Sequence, residues 1–478
     1  MNNELVRRLE TYQTTQFKQQ VTEMQNKKNI EQVSIAQSEG DVNLSSARES
    51  WQRDNLDDEA RALLAEDARY FLHQSLSSPC LNVLSSCEGS FLVDTQGRSY
   101  LDFHGNSVHQ VGFGHPKVKA AIYEAMEQLP FCTRRYTNRY AVALARKLAE
   151  ISPGTLNKSL FAPGGAEAIS MAIKLARMAT GRFKTVSMWD SFHGATLDTI
   201  SLGGEMLFRN NIGPLLPGSE HVPPAEPVHC PFRCGKSCNL QCAGYMDYVL
   251  EKEGDVAAVI AETVRSTGTV PPPEYWRRLR EICTRHGALL ILDEIPHGLG
   301  RTGSMFTCEQ YGIVPDMLVI GKGLGGGIFP IAALLAREDL DIGQDRALGH
   351  FTHEKSPVAC AAALAVLEVI ESEGLAERAR ILGSRFMEQL RGLQQKHELI
   401  YDVRGMGLLV AIVLQLPDGS PASFEAEQVM YQALSRGLSF KVSMGSTLVL
   451  TPPLTIEETH LDRAVKILDD CLSGLGAA

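Results

Sequence analysis

The sequence predicts an α/β protein: a large domain on a mostly parallel sheet, with a smaller α+β domain beside it. Two observations lead there. Helical stretches alternate with short apolar runs between about residues 117 and 370, the order expected of parallel strands joined by crossover helices. The runs are Thr185–Met188, Val256–Ala261, Leu289–Asp293, Met317–Ile320 and Ile331–Ala336. Finally, 478 residues with 44% hydrophobic side chains exceed one ordinary core, so two or three subdomains are expected.

Residues 1–45 read as a polar helical extension, with Leu5, Leu9 and Tyr12 at helical spacing. Residues 46–115 are expected to form the N-terminal segment of the small domain. Within them, Leu56, Ala60, Leu63, Leu64, Ala68 and Phe71 mark an amphipathic helix. The stretch from Phe91 to Phe103 reads as two short strands around a turn at Gly97. Residues 116–370 form the large domain, and residues 371–478 the C-terminal small domain. There the runs Arg404–Val413 and Thr447–Thr451 suggest strands, with helices between and after them.

Composition narrows the function. A net charge of −10 argues against a general nucleic-acid or membrane-surface binder. No run approaches 18 apolar residues, so no membrane span is read. The first 41 residues lack an apolar signal core, and a cytoplasmic location is the expectation. Eleven cysteines in a long chain read as free thiols.

The run Met317–Gly321 stops at Lys322 among glycines, and Ala288–Leu292 stops at Asp293 and Glu294. An ammonium at the end of a buried strand is costly unless paired or deprotonated. Burial would lower its pKa and free the amine for covalent chemistry. A lysine and an aspartate at the mouths of two strands are the fixtures a pyridoxal phosphate site needs. Gly164-Gly165-Ala166 opens a helical run over Ile169–Thr180, and such a turn offers free amides to a phosphate. Phe192 and His193 follow another strand, and an aromatic there suits a flat ring.

In order, these segments are joined by Ala261-Glu262-Thr263, Gly300-Arg-Thr-Gly303, and Thr352 followed by Pro357 and an alanine-rich helix. From about residue 85 to the end, the chain resembles the class III aminotransferase family of fold type I pyridoxal phosphate enzymes. The resemblance implies a seven-stranded, mostly parallel sheet flanked by helices. It implies that Lys322 holds the cofactor as a Schiff base and moves protons, while Asp293 keeps the pyridine nitrogen protonated. Phe192 would stack on the ring with His193 beside it, and Glu262 would line the pocket. The amides of Gly165 and Ala166 would hold the phosphate, joined by Thr352 from a second copy. A homodimer with a shared site is therefore implied. Arg404 matches an arginine that often receives a substrate carboxylate.

The chain departs from that family at telling places. Pro296-His297 stands where a glutamine usually bonds the cofactor's phenol oxygen. Ala166 replaces a hydroxyl residue, and His353-Glu354-Lys355 follows Thr352 in place of an aromatic and glycines. The front of the pocket carries His104, Asn106, His109 and Gln110, with Arg134-Arg135-Tyr136 downstream. So many donors suggest a small, strongly anionic amine substrate. His109, Arg134, His297, His353, Lys355 and Arg404 are the substrate-binding candidates. These features resemble an ammonia-lyase branch of the family, acting in phosphonate breakdown, more than the ordinary transaminases. A transaminase moving an amino group from an amine to a keto acid is the alternative.

One insert stands apart. Cys230, Cys234, Cys238 and Cys242 recur every four residues. Four thiolates are able to bind zinc tetrahedrally. The spacing is not that of paired CxxC knuckles, so a surface loop with free thiols is expected and no metal is assigned.

Overall fold

The computed structural model describes residues 45–234 and 238–475. The expected extension over residues 1–45 lies outside that range except for Ser45. Its Oγ accepts a hydrogen bond from Arg48 N (3.1 Å) and caps the helix Ser46–Asn55. The amphipathic helix expected next runs over Asp58–Tyr70, capped by Asp57.

Strands are numbered in chain order and form three sheets. The first joins β1 (Leu84–Glu88), β2 (Phe91–Asp94), β3 (Ser99–Asp102) and β13 (Leu438–Ser439). In it β13 lies parallel to β3, with Leu438 opposite Leu101, so residues from both ends of the chain share one sheet. The second has seven strands: β4 (Lys158–Ala162), β5 (Lys184–Met188), β6 (Ser219–Val222), β7 (Val256–Glu262), β8 (Leu289–Asp293), β9 (Met317–Ile320) and β10 (Ala332–Ala336). Their order is β4-β10-β9-β8-β7-β5-β6. Five of them are mutually parallel from β9 to β6, while β10 runs antiparallel to both β9 and β4. The third sheet is antiparallel, in the order β11 (Ile400–Met406), β12 (Leu409–Leu414), β15 (Thr447–Leu450) and β14 (Lys441–Ser443).

The continuous apolar runs follow from cover on both faces of the large sheet. Every residue of β7 is buried. The helix Gly165–Thr180 turns Ala168, Ile169, Ala172, Leu175 and Ala176 inward, against a core shared with Ala258, Ile260, Ile291 and Val319. The alanine-rich helix Pro357–Ser372 is buried along almost its whole length. Ser356 caps it through Ala359 N (3.3 Å), and Pro357 takes the first helical position, where no amide is needed.

The single run expected over Arg404–Val413 is a hairpin, broken where Gly407 adopts φ +58°. Gly407 packs beneath Gly383 of the helix Leu375–Lys396, and a Cβ on Gly383 would overlap the Gly407 carbonyl. Backbone on both sides leaves no side chain to swing away. Gly383→Ala is expected to destabilise the protein by about 1–3 kcal/mol, the usual cost of overpacking, read from its urea midpoint.

Candidate active site

The carboxyl ends of parallel strands collect on one edge of a sheet, where ligands bind. Here Glu262 closes β7 and Asp293 closes β8, directly opposite one another. Asp293 lies opposite Val319 of β9, three residues before Lys322. Asp293 is 2% exposed. Its Oδ1 accepts from Ile295 N (3.1 Å), and its Oδ2 lies 2.8 Å from His193 Nδ1. His193 is buried as well, and its Nε2 has no hydrogen-bond partner. Glu262 accepts from the amides of Phe192 (3.1 Å) and Ser266 (3.3 Å). That bond holds the Ser191–Gly194 loop against the strand ends. Phe192 is 37% exposed, and its ring centroid sits 4.5 Å from that of Phe208.

Lys322 opens the short 3-10 turn Lys322–Gly325 with φ +45°. A left-handed backbone at a lysine costs about 1–2 kcal/mol and marks a site held by its surroundings. Gly323 explains part of the hold: a Cβ there would overlap the Gln110 side chain. The expected burial of Lys322 is not found, because the residue is exposed. The apolar run ends at Ile320, and the chain then turns out of the sheet.

The helix Gly165–Thr180 begins at Gly164, whose extended backbone supplies no side-chain cap. The amides of its first turn point along the helix axis as ready anion donors. The cradle admits little more than backbone. A Cβ on Gly165 would meet Ile295 Cδ1 at 2.7 Å, and one on Gly194 (φ +127°) would meet Ala166 Cβ at 2.7 Å. A phosphate at that cradle, a carboxylate for a ring nitrogen and a lysine just past the next strand suit pyridoxal phosphate.

The Aminotransferase class-III family model matches residues 74–472. The chain belongs to the class III aminotransferase family. It is 46% identical over 454 residues to an (R)-1-hydroxy-2-aminoethylphosphonate ammonia-lyase of Vibrio splendidus (strain 12B01), covering 91% of this chain and 95% of that protein. It is 36% identical over 398 residues to an acetylornithine aminotransferase of Caldanaerobacter subterraneus subsp. tengcongensis, covering 81% and 93%. Among solved structures it resembles an amine transaminase from an uncultivated Pseudomonas species in its pyridoxal-phosphate-bound form. The TM-score is 0.77 and the identity 29%, covering 84% of this chain and 98% of that one. A Bacillus anthracis aminotransferase gives 0.80 and 28%, covering 86% and 98%. The fold is fold type I, and the cofactor of this class III enzyme is pyridoxal phosphate.

The substrate-binding candidates of this class III enzyme stand in differing surroundings. His297 is fully buried with Nδ1 3.1 Å from Thr307 Oγ1. Burial pushes its imidazole down to about 3, and the charge of Lys322 adds to that against the pull of Asp293. It is a neutral ring that feels the charges of both Asp293 and Lys322. His109 is buried too, packed on the Phe113 ring and 3.4 Å from the Asp102 carbonyl. Burial and then the Arg301 charge push it down to about 3. It packs on Gly105, where a Cβ would overlap the imidazole. Arg404 is engaged by Glu226 at 3.0 Å, with both side chains largely buried. Arg134 is exposed and lies 2.5 Å from His350 Nε2. His353 and Thr352 are exposed, with His353 edge-on to Phe131. Lys355 lines a separate cavity of about 500 Å³ with Glu354.

Two residues that hold the site were assigned no role from the sequence. Glu226 sits in an unpatterned Pro-Ala-Glu-Pro stretch, 178 residues before its partner Arg404. Arg301 of the Gly-Arg-Thr-Gly segment is wholly buried, with Nη1 donating to the carbonyls of Leu408 (3.3 Å) and Pro452. It ties the loop after β8 to the third sheet, and burial lowers its guanidinium to about 9.

The cysteine insert carries free thiols at Cys230, Cys234, Cys238 and Cys242. Among the described residues no three His, Cys, Asp or Glu side chains are grouped to hold a metal ion. No described helix is long and apolar enough to cross a membrane.

Proposed function

We propose that this class III enzyme is an ammonia-lyase for a small anionic 1-hydroxy-2-amino compound. The best candidate is (R)-1-hydroxy-2-aminoethylphosphonate, which would yield phosphonoacetaldehyde and ammonia. The observation that carries the reading is the 46% likeness along 91% of the chain to a protein of that activity, against 36% for an acetylornithine aminotransferase.

Position supports the following roles. Bound pyridoxal phosphate supplies an electron sink beside the substrate's amino-bearing carbon. Lys322 removes the proton from that carbon. Asp293, locked by Ile295 N and His193, keeps negative charge at the ring nitrogen. With a hydroxyl on the next carbon, loss of water competes with transamination. That step needs the C–O bond aligned with the ring and a proton for the departing oxygen. A neutral, buried His297 is a poor donor, so Lys322 returns the proton it took. The released enamine hydrolyses to aldehyde and ammonia. Exposed Thr352 completes the phosphate site of a second copy, giving a homodimer.

Stoichiometry tests the reading. With the hydroxylated aminophosphonate alone, purified enzyme is expected to release one ammonia per substrate over many turnovers. A transaminase would stop after about one equivalent until pyruvate or 2-oxoglutarate is added. Turnover that depends on the keto acid sinks the lyase reading and leaves an ω-aminotransferase.

A further inference from the structure

The pair formed by Glu226 and Arg404 bridges two sheets. Glu226 follows β6 of the large sheet, and Arg404 lies on β11 of the third. Arg404 Nη1 donates to Glu226 Oε1 at 3.0 Å, with side chains 12% and 10% exposed. We infer that Glu226 is a specificity-determining residue: it occupies Arg404 and so bars carboxylate-bearing amines and keto acids from the site.

Glu226 is fixed from several sides. Its Oε1 also accepts from Val228 N (3.0 Å), and its Oε2 accepts from Thr269 Oγ1 (2.8 Å). Thr269 is 1% exposed, and its Oγ1 lies 3.3 Å from that of Thr267. Burial would raise the Glu226 carboxyl, yet the Arg404 charge, these hydrogen bonds and the Arg265 charge hold it below its usual value. It therefore stays an anion. A second carboxylate stands near. Residues two apart on a strand share a face, which puts Asp402 on the same side of β11 as Arg404. Asp402 Oδ2 is buried without a hydrogen-bond partner.

The pair sits against the turn that leaves β7 beside the cofactor fixtures. Ser266 N in that turn donates to Glu262 Oε2 (3.3 Å), and Arg265 N closes it on the Thr269 carbonyl (3.0 Å). Gly268, at φ +74°, packs on β11. A Cβ there would meet Ala411 Cβ at 2.7 Å and the Arg404 carbonyl at 3.5 Å. Glu262 itself stands opposite Asp293. Neighbouring residues thus run from Asp293 through Glu262 and this turn to Glu226 and Arg404.

A guanidinium receives a carboxylate best through two parallel bonds. A carboxylate arriving at Arg404 would meet the Glu226 anion already on it. Like charges that close cost more than one further hydrogen bond returns. Displacing Glu226 would instead leave a buried anion without its cation. Both routes disfavour a carboxylate. This inference rests on the reading that the reaction needs no keto acid: with that acceptor excluded, the amino group leaves as ammonia.

Glutarate, an unreactive dicarboxylate of keto-acid length, tests this when titrated into holoenzyme. Wild type is expected to show no rise in melting temperature at concentrations that saturate Glu226→Gln. Glu226→Gln should bind glutarate about tenfold or more tightly than wild type, and adding Arg404→Gln to it should abolish the gain. If Glu226→Gln does not fold, Thr269→Val, which frees Oε2 alone, should raise glutarate affinity by a smaller factor, and no change there overturns the inference. Equal affinity in wild type and Glu226→Gln, or none in either, also overturns it, as does a gain that survives loss of Arg404. Glutarate binding to a wild type that releases ammonia without keto acid removes the Glu226 lock and upholds the lyase. Turnover that requires pyruvate, together with glutarate affinity governed by Glu226, removes the lyase and upholds the lock.

Discussion

Lys322→Ala is expected to lower turnover by about 10⁴-fold or more, the combined loss of a positioned base and a covalent anchor. It should also leave the protein without the near-visible absorbance of lysine-bound cofactor. Fold stability should change little, since Lys322 is exposed and its left-handed turn is fixed by neighbours. Alanine at φ +45° adds no new strain beyond that already borne by lysine. The measurement is paired: absorbance of the variant given excess cofactor, and ammonia release from substrate. A variant that keeps both the absorbance and wild-type turnover would remove Lys322 from the chemistry. Added methylamine is a further probe. A small amine that fits the vacated space should recover part of the proton transfer but not the anchoring.

The sequence exposed this site because its strands are covered on both faces. In β7, β8 and β9 every position before Glu262, before Asp293 and up to Ile320 is apolar, so each run has a sharp end that the sequence shows. The sheet's edges were hidden for the converse reason. β4 keeps Lys158 and Leu160 exposed, and β6 is four half-polar residues, so neither shows a continuous apolar run. Strand pattern also says nothing of the backbone beyond the strand, which is why Lys322 was expected inside and lies outside. The surroundings of the candidate substrate contacts were hidden on a different ground. His109, His297 and Arg404 were judged by residue type, while burial and a distant partner decide what they do.

Asp293→Asn separates charge from geometry. The asparagine oxygen is able to accept from Ile295 N as Oδ1 does now, at 3.1 Å. Its amide would face His193 Nδ1, now 2.8 Å from Oδ2, and so would require that nitrogen to accept. The imidazole proton then moves to Nε2, an atom buried without a partner. The folded state should lose about 1–3 kcal/mol for that unsatisfied donor. Cofactor should still bind, because the phosphate cradle and Lys322 are untouched. Turnover is nonetheless expected to fall about 10²–10³-fold, the usual cost of removing one preorganised charge from a buried site. Asp293→Leu, which also abandons the Ile295 contact, should lose cofactor affinity as well. Cofactor dissociation constants and kcat, measured for both variants, distinguish the two effects. Equal kcat in wild type and Asp293→Asn would show that the ring nitrogen's partner lies elsewhere, and the strand-end pairing of Glu262, Asp293 and Val319 would then be scaffold alone.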